Sequence, residues 1–520
     1  MRVIRYRLNQ VKLGIDESVN VLPRRIAARY GKGHKDTIKI FDVEIIRDSI
    51  DARRKSDIKK VYTVDFSSDV KLDLPEAPDM SYKQVEAGKE IMERRPVIIG
   101  FGPCGMFCAL ILAERGYRPL VLERGYAMED RIREVKAFWE KGILNPECNV
   151  QFGEGGAGTF SDGKLTTGIK DPRIRKVLEE FVEAGANEDI LYKQKPHIGT
   201  DVLRQVVKNI RLKVERLGGE IRFDARVNHL NVEEGHVTGL MVQTGYQLIN
   251  TEADNVVLAI GHSSRDTLRS LVETGVEMKQ KPFSIGVRIE HPQEMVDKAQ
   301  YGAAAGDEHL PHATYQLAHH CKDGRGVYTF CMCPGGEVIV ASSESGHVVT
   351  NGMSFRSRNS GTANSGLLVD VRTEDFGSDA PLAGVEFQEK YEAMAYKNGG
   401  GRYKAPKTTW GEFRDGKDSA TAVIECLPEF AVTDIREAMP ELGKKLRGFD
   451  EDSAVFTAVE TRSSSPVRIV RGENFESTAI KGLYPAGEGA GYAGGITSSA
   501  CDGIKVAEEL IGRYSPYEGK

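Results

Sequence analysis

Two stretches of the chain carry the glycine spacing G-x-G-x-x-G: GFGPCG at residues 100–105 and GEGGAG at 153–158. That spacing brings backbone N–H groups against a diphosphate with no side chain in between. The first stretch has the context such a turn requires. Val97, Ile98 and Ile99 read as a short buried strand. Gly100 permits the tight turn, Gly102 lets the backbone approach a pyrophosphate, and Gly105 lets the next helix pack on the strand. The helix ends near Gly116, and a second strand, PLVLE, closes on Glu123. An acid about 20 residues past the glycines is placed to accept hydrogen bonds from a ribose. The second stretch lacks this context, because ECNVQF is a poor strand and TFSDGKLTTG a poor helix. It reads as a loop lying close against something, with Thr159, Ser161 and Lys164 adding donors. A third corner stands at the far end. There Leu483–Ala486 form a strand that runs into Gly487-Glu488-Gly489, and a helix begins near Ile496.

Other residues have chemistry of their own. His262 follows Gly261 at the end of the strand NVVLAIG, where it can act as acid or base. Cys331 and Cys333 flank Met332 in VYTFCMCPGGEVIV, which reads as a hairpin with PGG in the turn and both thiols on one face. Such a pair either exchanges electrons or simply packs. Arg288 and Glu290 share a strand face in GVRIEHP; they pair, or Arg288 takes a substrate carboxylate in a two-pronged grip. His347, Asn351, Arg356 and Arg358 lie in a polar stretch that lines a cleft or faces water. Arg402, Tyr403 and Lys404 follow three glycines and read as a mobile loop or lid. His319-His320-Cys321 hints at a metal, but the spacing matches no standard zinc pattern, so no metal centre is expected. Cys104 and Cys108, one helical turn apart, are packing residues.

These groups need a scaffold. Residues 1–66 alternate as a small β-α-β-β unit with a glycine stop after its helix, and LDLPEAPDMSYK at 72–83 reads as a linker. The expected organisation is a small N-terminal α+β unit with linker (1–90) and the first part of a dinucleotide-binding domain (91–280). A β-rich inserted substrate or cap domain (281–454) and the last part of the binding domain (455–520) follow. The fold class is α/β, a split Rossmann-like domain carrying an insertion.

With 520 residues, the chain is too long for a single core. A net charge of −5 argues against a bulk nucleic-acid binder, although residues 1–60 carry a local +8 that could touch RNA. No secretory signal is visible, and the apolar run 97–113 is too short and glycine-rich to span a membrane. Eight cysteines without a disulfide spacing fit a reducing cytoplasm.

The chain resembles the bacterial and plastid family of FAD-dependent dehydrogenases, the NAD(FAD)-utilising type, within the glutathione-reductase-type flavoprotein superfamily. The resemblance covers nearly the whole length. It is carried by DARRKSDIKKVYTVDF, QFGEGGAGTFSDGKLTTG, FSIGVRIEHPQ, FCMCPGGEVIVASSESGHVVTNGMSFRSR and the 482–503 run. It implies one FAD served by both glycine loops, a split FAD-binding domain and a β-rich central domain. The FAD contacts it implies are Gly100, Gly102, Pro103, Gly105, Glu123 and Arg124 at the first corner, and Gly155, Gly156, Gly158 and Ser161 on the second loop. Val227 and Gly261 follow, and Gly487, Glu488, Gly494, Gly495 and Ile496 close the set. His262, Arg288, Cys331, Cys333 and His347 are then the candidates for chemistry beside the flavin ring. The implied activity is a FAD-dependent oxidoreductase acting on a small molecule, with NAD(P)H as a transient electron donor and a redox partner as a further option. The other readings are an RNA-directed flavoprotein using the basic N-terminal unit, and a flavin redox sensor using the two thiols.

Overall fold

The computed structural model describes residues 4–30 and 38–518. The N-terminal unit is a three-stranded antiparallel sheet in which Lys59–Ser68 lies between Ile4–Gly14 and Ile40–Asp51. The helix Leu22–Tyr30 buries Leu22 and Ile26 on it. The glycine stop expected at Gly31 lies outside the described residues.

At the centre is a five-stranded parallel sheet, ordered Leu483–Pro485, Val256–Leu258, Val97–Ile99, Leu120–Leu122, Glu220–Arg222. The late strand Leu483–Pro485 thus joins the same Rossmann-like layer as the early strand Val97–Ile99, with Val256–Leu258 between them. The helix Pro103–Glu114 is apolar on every side, and residues 104–113 are all buried. It is covered by the sheet on one side and by the helix Ile496–Arg513 on another. Two glycines set those distances. A Cβ on Gly105 would overlap the Gly100 carbonyl, and one on Gly503 would overlap the Cys104 carbonyl.

Between the two halves stands a six-stranded antiparallel sheet built on Phe283–Pro292, with Thr362–Val371 and Val455–Glu460 as its neighbours. The inserted layer therefore runs to Glu460, beyond the boundary expected at 454. It is less purely β than its glycine-rich sequence suggests. The helices Ala383–Asn398 and Glu429–Lys445 bury apolar faces against it. The expected PGG hairpin does not form. Gly326–Pro334 belongs to the large sheet, whereas Glu337–Ala341 pairs with Val349–Met353 in a separate ribbon. Pro334-Gly335-Gly336 carries the chain from one to the other, and Gly335 at φ +56° sits against the Arg358 carbonyl. The polar run 351–366 is correspondingly half strand, with Asn364 and Ser365 fully buried. None of the described helices is long and apolar enough to cross a membrane.

Candidate functional site

The three glycine corners meet in one cleft. A Cβ on Gly156 would lie 3.0 Å from Gly102 Cα, and a Cβ on Gly158 would lie 3.0 Å from Ile496 Cγ1. The second loop is therefore pressed between the first glycine turn and the start of the C-terminal helix. Gly100, Gly102, Pro103, Glu123, Arg124, Gly156, Gly158, Ser161, Val227, Gly261, Glu488, Gly494, Gly495 and Ile496 all line this cleft. Gly105, Gly155 and Gly487 do not. They act from behind the wall. Gly155 at φ +82° turns the loop against Thr159 and Val207, and Gly487 at φ +71° packs on Cys104 while its N–H donates to Asp502 (2.7 Å).

Glu123 has a second task that its spacing did not announce. Its Oε2 accepts from Phe101 N–H (2.8 Å), and its Oε1 accepts from Gly125 and Gly153 N–H (both 2.9 Å). The carboxylate thereby clasps the first glycine turn to the second loop. A carboxylate offers about four acceptor positions, so one remains for a ribose hydroxyl. Arg124 is fully engaged, forked on Asp266 and bonded to Glu147, with its plane over the Phe152 ring. Arg131, which the sequence reading missed, is wholly buried and donates to the carbonyls of Asn149, Val150 and Glu154. It pins the segment leading into the second loop. No pattern announces an arginine inside a helix stripe as a loop anchor.

The cleft continues into the inserted sheet, whose Phe330, Cys331, Cys333, Asn351, Glu460 and Arg462 form its far wall. Arg288 stands behind that wall. It pairs with Glu460 rather than with Glu290 (Nε to Oε2, 2.5 Å), and it also donates to Cys331 O (3.0 Å), Asn364 (3.2 Å) and Asn351 (3.3 Å). No prong is left for a substrate carboxylate, so it is a positioning residue.

Both thiol residues line the cleft, but not through a regular strand alternation. A bulge between Phe330 and Cys333 places Cys331 at φ +44°. Cys331 is then the one exposed cysteine of the eight, and Cys333 is buried with its thiol on Cys331 O (3.3 Å). Desolvation of the sulfur atoms inside the cleft pushes both thiols up, Cys333 to about 12, although Cys331 as a residue keeps exposed surface, so neither is a thiolate at neutral pH.

His262 lines the cleft with Nδ1 2.7 Å from Ser263 Oγ, and burial holds its pKa down to about 3. It is a neutral hydrogen-bonding ring, not a proton exchanger near pH 7. His347 is outside the cleft and bonds its own turn at Ser345 O. Arg356 reaches Asp189 (2.7 Å), and Tyr403 packs on Phe138 and Tyr396, so neither it nor the Arg402–Lys404 loop lines the site.

Sequence reasoning also missed a buried cluster under Ser161. Asp162 accepts from Ser354 Oγ and from Arg358 (3.3 Å), and His197 Nε2 lies 3.2 Å from the same Ser354 oxygen. Burial lowers the His197 pKa to about 4. Lys164 is 3.7 Å from Asp162 and lines the cleft. The polar loop around Lys164 was legible, but its partners lie far away in the chain.

The residues present fit a dinucleotide carrying hydroxyl donors. The Glu488 carboxyl makes no hydrogen bond among the described residues, and burial raises its pKa to about 7. Gln151 Oε1 and Thr350 Oγ1, both on cleft residues, are buried without partners.

Comparison with known proteins adds a family to these observations. Residues 282–463 match the family described as FAD-dependent protein, C-terminal domain-like. A protein of Clostridium beijerinckii, itself recorded as uncharacterized, is 45% identical across 98% of this chain and 99% of its own length. Among solved structures, a flavin-dependent brominase variant is 14% identical with a TM-score of 0.38, covering 80% of this chain and 79% of its own. The FAD-complexed glycerol-3-phosphate dehydrogenase of Bacillus halodurans is 15% identical with a TM-score of 0.35, covering 82% and 64%. Likenesses at that level say nothing about the reaction.

Proposed function

We propose, for a chain that belongs to the same family as the Clostridium beijerinckii protein and carries the FAD-dependent C-terminal-type domain, that it is a FAD-dependent oxidoreductase acting on a small molecule. The observation that carries this reading is the convergence of three glycine corners, far apart in sequence, on one cleft that opens onto the inserted sheet. Bound FAD supplies hydride or electron transfer. The chain's residues do the rest. Gly102 and Gly156 leave room for a diphosphate beside backbone N–H groups. Glu123 keeps an acceptor position for a ribose, and Glu488 offers its unpaired carboxyl to a hydroxyl of the sugar chain. Neutral His262 can donate or accept one hydrogen bond at the cleft wall. The inserted sheet closes the far side against water, with Arg288 and Glu460 fixing its position.

We assign NAD(P)H to this reading as a transient electron donor. The redox-sensor alternative is weakened because both thiols are pushed up and so are protonated near neutral pH. The test is an anaerobic absorbance titration of the purified protein with NADPH and then NADH. We expect bound flavin, bleached by one of them. Flavin bands that survive both would remove the nicotinamide step and leave a dehydrogenase discharging to another carrier. A protein that holds no flavin after incubation with FAD would overturn the whole reading.

A further inference from the structure

One edge of the inserted sheet is a short hairpin whose turn lies outside the cleft. Ala318–His320 pairs with Gly326–Pro334, and the turn is closed by Cys321 N–H on Arg325 O (2.9 Å) and Gly324 N–H on Cys321 O (3.0 Å). Residues 319 and 321 are two apart at the end of this strand, so their side chains leave on the same side. That side meets the helix Glu429–Lys445, on which Asp434 and Glu437 are three apart and share a face.

The meeting brings three different donor atoms together. The imidazole of His319, the thiol of Cys321 and the carboxylate of Glu437 all lie within 4.8 Å of one another, and His319 Nε2 is 3.9 Å from Glu437 Oε1. Glu437 is oriented by Lys322 N–H (3.0 Å). Cys321 is buried, with its thiol 3.6 Å from the main-chain oxygen of Asp434. An independent observation points the same way. Asp434 is only 3% exposed, and its Oδ2 has no hydrogen-bond partner. A buried carboxylate oxygen without a donor is costly unless positive charge stands nearby. The nearby Arg325 is committed to Asp323 and Asp375, and the Lys322 ammonium extends into solvent 4.0 Å from Glu437.

We propose that His319, Cys321 and Glu437 form a binding site for one divalent transition ion of the zinc type, with water in the fourth position and Asp434 behind them. Nitrogen, sulfur and carboxylate oxygen are a donor set that suits zinc. Bonds of about 2.0–2.3 Å in a tetrahedron set donor atoms roughly 3.3–3.8 Å apart, so the observed spacing needs only small side-chain adjustments. Binding replaces the Cys321 thiol proton, which leaves to solvent, and the ion then clasps the hairpin to the helix. None of the three ligands lines the cleft, so the site is independent of the flavin reading. His320 is exposed and takes no part.

The experiment uses the full-length protein, stripped with a chelator and dialysed. Zn2+ is titrated calorimetrically, bound metal is counted by mass spectrometry, and Co2+ is added as a visible probe on the red side of any flavin band. We expect about one ion per chain with thiolate–cobalt absorption. His319→Ala, Cys321→Ser and Glu437→Gln should each weaken binding by at least about tenfold, while His320→Ala should bind as the parent does. Glu437 is partly exposed, so its variant keeps the test decisive if the cysteine variant fails to fold. No bound Zn2+, or equal binding by the parent and all three ligand variants, would overturn the proposal. So would loss of binding in His320→Ala with retention in His319→Ala.

Discussion

At the residue scale the chemistry depends on which groups are left over after the protein has satisfied itself. Glu123, Arg124 and Arg288 look free in sequence, yet each spends its polar atoms on neighbours. Glu488 is the opposite case, a carboxyl in the cleft with no partner, raised by burial from 4.5 to about 7. Between those two values the folded chain holds a proton that the unfolded chain has released. Stability of the flavin-free protein therefore falls as pH rises through that window. Glu488→Gln has no such proton to lose. Thermal unfolding from pH 4.5 to 8 should show the parent's midpoint declining relative to the variant's. Parallel curves would mean that Glu488 ionises normally.

At the element scale the strand Phe283–Pro292 carries most of the design. It is central in the inserted sheet, and Ile285, Val287 and Ile289 are fully buried on one face. Arg288 projects from the opposite face, where it meets Glu460 from the neighbouring strand. Removing the guanidinium leaves a buried carboxylate unpaired. Arg288→Ala should cost about 3–5 kcal/mol in urea unfolding. Replacing both partners, as in Arg288→Met with Glu460→Leu, should recover most of that loss. If the double variant were as unstable as the single one, the bonds from Arg288 to Cys331 O, Asn351 and Asn364 would be what matters. The bulge at Cys331 belongs to this scale too. One extra residue breaks the alternation, and of the two thiol residues in the cleft wall Cys331 is exposed and Cys333 buried.

At the scale of the whole molecule, the parallel layer is assembled from both ends of the chain, and the inserted sheet is held over it by a buried charge network. Arg265 and Arg462 both bond Glu392 on the helix Ala383–Asn398, and together they hold its carboxyl well below the ordinary range. The N-terminal unit also packs on the inserted layer, placing Ile58 in that layer's core with Ile15, Ile50 and Ala52 against it. It has its own core as well, and main-chain pairing of Asp48 with Tyr192 and Gln194 adds to the docking. Part of its basic excess is internally paired, as in Arg5–Glu44, Arg7–Asp65 and Lys12–Asp51. Deleting residues 1–80 should leave flavin content per chain unchanged, because among the described residues none before Ile99 lines the cleft. If salt-dependent RNA binding is found, it should vanish with the same deletion. Flavin loss on truncation would show that docking at Tyr192 supports the cleft.

The strand, glycine turn and helix at 97–114, and the matching corner at 483–513, were legible in sequence. Their signals are local: a buried apolar run, glycines where a Cβ cannot fit, and a helix that starts at once. The β-α-β-β start was legible for the same reason. The partners could not be read in advance. Glu123 binds Gly153 N–H, Arg288 pairs with Glu460, Asp162 meets Ser354, and His319 faces Glu437. Each of these pairs joins segments that no periodicity relates. The PGG hairpin failed because turn chemistry states that the chain reverses, not which strand it pairs with afterwards. Local backbone preference determined the elements of this protein. Only packing in three dimensions decided which polar groups would be consumed in holding it together and which would be left facing the cleft.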